Sequence, residues 1–306
     1  MTVPLSAPGL WLLGLERAVM LGGLALALGG IAGRGALRNY KGTGPAPLPE
    51  PWALPGSLVG LAGAAALLLT SLADRPLAAS LSHPLVLGLG AAATPAIALI
   101  EVAFFTVAAL LSWQGRGGGS LPLLGVVLAE AVRSHPDGMI PAAGALLAIC
   151  HMLPAILWAG MLAYTLRAAI AWRSDPVAMQ GLIRLYANVA AWLFSVVVVT
   201  GLIAAVLLVP LGSLLTTAYG RFLIAKAALV AVAACMAIAG RVALNRRAAP
   251  GAGPARATRV ELGALASVLV VTAILTVITP PAKSVYSAQP PGRHHATVVA
   301  TGSRAG

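Results

Sequence analysis

The chain has 306 residues, of which 59% are hydrophobic and only 9% charged. A soluble domain needs roughly 25% charged residues to hydrate its surface, so a freely soluble globule is excluded. The formal charge of +12 does not call for nucleic acid, because basic loops of a membrane protein record orientation and contact with anionic lipid. The bilayer is the expected partner.

The apolar residues come in runs of about 20, long enough to cross a ~30 Å hydrocarbon core as helix. Open β structure cannot face lipid with unpaired backbone groups, and a barrel would show alternation rather than continuous runs. The expected fold is therefore all-α, a polytopic transmembrane bundle of about eight spans. They fall near 9–33, 52–73, 84–112, 119–134, 140–167, 184–210, 218–243 and 259–280. The first is read as a retained span, since no basic region or small-residue cleavage site precedes it. The fourth is the weakest, being short and carrying Glu130 and Arg133 near its end. Residues 40–51 are proline-rich and irregular, and the tail after Pro281 is polar. The spans divide into a four-span half over 1–134, a second over 135–281, and a tail over 282–306. Cys150 and Cys235 both lie inside spans and read as packing residues or soft ligands, not a disulfide framework.

Loop charge orients the bundle. The first, third, fifth and seventh connections hold twelve Lys or Arg residues, among them Arg34, Arg38, Arg116, Arg167, Arg173, Arg184 and Arg246, whereas the other loops and both tails hold six. The basic side is the cytoplasmic one, which puts both termini outside, on the periplasmic side of a bacterial inner membrane.

That orientation, set by Lys and Arg alone, sorts the histidines. His83 and His135 fall at outer helix ends and His294 and His295 in the outer tail. His151 falls about ten residues into the fifth span, ~15 Å deep at 1.5 Å per residue. An ionisable residue at the midplane is costly and marks a candidate functional site. It sits in Cys150-His151-Met152, donors suited to a soft or borderline metal such as copper. Neighbours on a helix point about 100° apart, so these three cannot close around one ion. The positions three and four away are Ala148, Pro154, Leu147 and Ala155, so any further ligand must come from another helix. Pro154 cannot donate to the Cys150 carbonyl and is expected to bend the span. Two readings remain open: a metal ligand, or a packing histidine bonded to a neighbour.

The other buried polar residues carry the same choice. Glu16 and Met20 share a face of the first span at i,i+4, and Glu130 precedes His135 at the outer end of the fourth. Glu101 and Lys226 lie inside the third and seventh spans. Each fits either a structural ion pair or a metal path of carboxylates, thioethers and imidazoles running inward from the outer face.

At these positions the sequence resembles the copper resistance protein D (CopD) family. His151 with Trp158-Ala159-Gly160 is similar to the family's histidine followed by Trp-x-Gly. Ser134-His135 stands where the family often has Gly-His. Thr200-Gly201 resembles its Thr-Gly pair, and Tyr219-Gly220-Arg221 with Leu223 and Lys226 its Tyr-Gly-x-x-Leu-x-x-Lys signature. Asn245-Arg246 and Thr279-Pro280-Pro281 follow in order. The resemblance covers about 134–281 and implies an eight-span inner-membrane protein of copper uptake or tolerance, often working with a periplasmic copper carrier. It favours His135 and His151 as copper-handling residues; Cys150, Met152, Glu130, Glu16 and Met20 are further metal candidates on donor chemistry and placement alone. Trp158, seven residues from His151 and on its face, is placed to shield or stack on it. Tyr219, Arg221 and Lys226 read as interfacial anchors, Lys226 snorkelling to the headgroups.

No P-loop, phosphorylatable Asp motif or ATPase domain is seen, so the expectation is a copper permease or copper-responsive protein, not an enzyme and without an organic cofactor. The alternatives are a b-type haem electron-transfer protein, which would need histidines on facing helices, and a non-transporting membrane partner of a copper carrier.

Overall fold

The computed structural model describes residues 7–38, 47–74, 94–115, 118–134, 141–208, 212, 214–246 and 267. Every long element among them is helical. The first membrane run is α1 (Ala7–Leu24), a π-helical turn (Ala25–Gly29) and α2 (Gly30–Leu37). Then come α3 (Ala53–Asp74), α4 (Thr94–Trp113), α5 (Ser120–Ser134), α6 (Pro141–Ala171), α7 (Pro176–Leu208) and α8 (Ala218–Arg246). Among the described residues six helical runs are long and apolar enough to cross a membrane, α5 not among them. At 15 residues α5 is ~22 Å long. The expected eighth span, 259–280, lies outside the described residues apart from position 267, as do 84–93 of the third.

Two span ends differ from expectation. The runs near 140–167 and 184–210 become helices reaching Ala171 and starting at Pro176. Arg167 and Arg184 therefore ride on helix ends rather than in a loop. The start of α7 is well specified. Asp175 Oδ1 accepts from the N–H groups of Val177 and Ala178 at 3.0 and 2.9 Å, and Pro176 occupies the first turn, where its missing N–H costs nothing. Basic residues marked span ends in the sequence, but a helix continues past the lipid as long as its backbone bonds continue.

Small residues let the helices close on one another, as lipid-embedded packing requires. Along α3, Gly56 and Gly63 lie against the backbone of the first run: a Cβ at either would come within 2.5 Å of Ala27 N or Met20 N. Gly60 is covered by the Phe105 ring from α4. On the other side, Gly29 of the π turn meets Gly160 of α6, where a Cβ would lie 2.5 Å from the Gly160 Cα. The first run thus packs on α3 and on α6. Met20, Leu24, Phe105, Leu123, Ile156 and Leu162 are among the fully buried residues of this core.

The chain entering α3 is clamped at the basic end of the bundle. Tyr164 Oη donates to Pro49 O at 2.7 Å, Arg167 Nη1 donates to Glu50 O at 2.6 Å, and Arg34 pairs with the Glu50 carboxylate. The Arg167 guanidinium also lies 5.0 Å from the Trp52 ring centre, a cation–π contact. Farther along, α7 presents Trp192, Val199, Leu202 and Val206 outward, a face suited to lipid tails.

Candidate metal site

His151 sits on α6 and is met by two other helices. Its Nδ1 lies 3.1 Å from Val197 O and 3.1 Å from Thr200 Oγ1, both on α7. Its Nε2 lies 3.4 Å from Lys226 Nζ on α8. The tautomer follows from these partners. A carbonyl only accepts, and the Thr200 hydroxyl donates its proton to Val196 O at 2.6 Å, so its oxygen faces the ring with a lone pair. Nδ1 must therefore carry the hydrogen, which leaves the Nε2 lone pair facing Lys226.

Gly201 explains how α7 comes so close. A Cβ there would lie 2.8 Å from His151 Cε1 and 3.3 Å from Nδ1. The imidazole occupies the space a side chain would need. Trp158, 2% exposed, has its ring edge-on to Phe194 of α7 at 5.5 Å between centres. Gly160, two residues on, admits the π turn of the first run. The two ends of the Trp-x-Gly element thus serve opposite faces of α6, one toward α7 and one toward the first run.

The start of α8 places Lys226. Thr217 Oγ1 accepts from Gly220 N–H at 3.0 Å as an N-cap. A Cβ on Gly220 would strike the Leu214 backbone. Two turns on, Lys226 points across to α6 rather than to the headgroups. Among the described residues no carboxylate lies in salt-bridge reach of it. Snorkelling was expected because nothing in the sequence of α8 names a partner; the partner comes from α6.

The neighbours of His151 behave as helix geometry requires. Cys150 is exposed and free, and Met152 is half-buried against the main core. Helix α6 runs unbroken through Pro154. Of the remaining candidates, Glu16, Met20 and Glu130 are found elsewhere in the bundle, and His135 lies outside the described residues, as do His83, His294 and His295. Met20 is fully buried in the core. Glu16 Oε1 accepts from Thr70 Oγ1 at 2.8 Å. Glu130 pairs with Arg17 at 3.4 Å and with Arg133 at 3.3 Å, and Arg133 also pairs with Glu101. These partners of Glu16 and Glu130 lie on α1, α3, α4 and α5, whereas those of His151 lie on α7 and α8. Among the described residues no group of three or more His, Cys, Asp or Glu side chains converges as a metal site.

In the sequence, Thr200-Gly201 and Lys226 stand in the motif pattern, Lys226 as an anchor, an ion-pair partner or part of a metal path and Thr200-Gly201 with no role beyond the motif. Their common membership of that pattern was the available signal. Residues 180–279 match the family model of CopD, copper resistance protein D. Over this stretch, a third of the chain, the sequence is similar to the CopD family. The CopD match takes in Thr200, Gly201 and Lys226 and stops short of His151, which the fold delivers to them from α6. No curated protein and no solved structure matches the chain.

Proposed function

We propose that this is a copper transport and resistance protein of the bacterial inner membrane, with His151 as the copper-facing ligand. The observation that carries the reading is the convergence of His151, Thr200-Gly201 and Lys226 from α6, α7 and α8. These positions are separated by up to 75 residues in the chain, and the family model covers all but the histidine. Both termini lie outside, and copper reaches the bundle from that side, delivered by a periplasmic carrier. No hydrolytic step is involved, so movement follows the metal gradient or a coupled ion.

Chemically, His151 brings one imidazole lone pair, with the other nitrogen fixed by Val197 and Thr200. Such second-side hydrogen bonding orients a ligating histidine and raises its basicity. One lone pair does not complete a copper site, so further donors come with the conformation that accepts the ion. The test is copper uptake into proteoliposomes, with wild type against His151→Ala at equal incorporation. Uptake is expected to fall to the protein-free background. Unchanged copper binding and uptake in His151→Ala would remove His151 from the pathway.

A further inference from the structure

We infer that Lys226 is a built-in competitor for the copper position: its ammonium group holds the lone pair that an incoming ion must take. This rests on the assignment of His151 as the copper-facing residue and adds the device that controls access to it.

The geometry is specific on both sides. With Nδ1 committed as a donor to Val197 O and Thr200 Oγ1, the only lone pair on the ring is at Nε2. The group facing it at 3.4 Å is Lys226 Nζ, a donor with no lone pair when charged. Among the described residues no carboxylate is in salt-bridge reach of that ammonium, so the imidazole is its named polar partner. Lys226 is half-buried on an apolar helix, where a cation needs such a partner more than one on a hydrated surface does. A metal ion on Nε2 would occupy the same direction and carry the same sign of charge. The two cannot share the lone pair, so binding requires the Lys226 side chain to swing away.

The arrangement therefore has an occupied and a released form, distinguished by where one flexible side chain lies. With no copper present, the ammonium satisfies the Nε2 lone pair of His151. When copper arrives, Lys226 must leave. The same charge disfavours ions that bind the nitrogen too weakly to displace it. Lys226 is thus a specificity-determining residue, and it need not touch the ion.

The experiment compares Cu(I) affinity of the full-length protein in detergent, by competition with a chromophoric Cu(I) chelator, for wild type, Lys226→Met, Lys226→Arg and His151→Ala. Methionine keeps the length of the stem and suits the apolar surroundings. Removing the competing charge is expected to tighten binding at least about ten-fold, since like charges this close repel by several RT even at an effective dielectric of 20. Arginine, which keeps the charge, is expected to bind no more tightly than wild type. Equal affinity in wild type and Lys226→Met, or weaker binding in Lys226→Met, overturns the competitor role even if His151→Ala abolishes binding. If His151→Ala binds as well as wild type, the copper-facing assignment itself fails, and the competitor role with it. A second readout keeps the variants interpretable. Nitrogen-15 spectra of labelled histidine in wild type should show His151 with hydrogen on Nδ1. Hydrogen on Nε2 instead would overturn the arrangement without any copper.

Discussion

The imidazole of His151 is held by contacts that a single methyl group would disturb. A Cβ at Gly201 falls 2.8 Å from Cε1, closer than real side chains come, and the neighbour that would have to give is a ring already bonded to Val197 O and Thr200 Oγ1. Gly201→Ala is expected to push the ring off those partners and weaken copper binding. Overpacking of this kind costs about 1–3 kcal/mol, so thermal unfolding in detergent should shift down by only a few degrees. A fold-competent variant with unaltered copper affinity would show that the ring's placement is irrelevant to the metal. The candidate histidine was readable from the sequence because depth in a span is a matter of counting residues. Its partners were not. Spacing along one helix tells which residues share a face, as with Ala148 and Ala155 beside His151, but not which foreign helix that face meets. For the same reason Lys226 reads as a snorkelling anchor until α6 is placed beside it.

At the scale of elements, α6 is the helix on which the halves of the chain lean. Its Gly160 lies directly against the carbonyl of Ala25 in the π turn, and a Cβ there would also fall 2.8 Å from the Gly29 Cα. Both obstacles are backbone, which cannot rotate away as a side chain would. Gly160→Ala is expected to lower stability by about 1–3 kcal/mol. Gly22→Ala, where nothing lies within 4 Å of the added carbon, should leave it unchanged or slightly raised, since alanine is the better helix former. Thermal unfolding of the two variants in the same detergent makes the comparison; equal behaviour would mean that the close contact carries no packing energy. Seven of the expected spans have helices in the structure, because continuous apolar length is a property of the sequence alone. The π turn was not foreseeable in that way. It lies against Gly160 of a helix more than a hundred residues away, and the local run ALALG fits an ordinary helix as well.

For the molecule as a whole, the topology turns on α5. Its ~22 Å length is short of a ~30 Å hydrocarbon core, so crossing requires local thinning of the bilayer or help from the flanking residues. What makes crossing reasonable is the treatment of its charges. Glu130 and Arg133 are not exposed to lipid: they pair with each other, with Arg17 of α1 and with Glu101 of α4. Breaking such a buried set by removing one member costs about 3–5 kcal/mol, which holds α5 within the bundle rather than on its surface. In the sequence Glu130 fits an ion pair or a metal path, because its partner Arg17 lies on a helix that spacing along α5 does not bring to it. The decisive measurement introduces single cysteines at Gln114 and Asp137, on either side of α5, in a chain whose Cys150 and Cys235 are replaced by serine. A membrane-impermeant maleimide applied to intact spheroplasts is expected to label Asp137→Cys directly and Gln114→Cys only after permeabilisation. Labelling of both from the same side would mean that α5 does not cross. Every later helix would then be inverted, and the loop charge that orients the bundle would favour the opposite face for α6 to α8. The copper ion would then approach His151 from the cytoplasm.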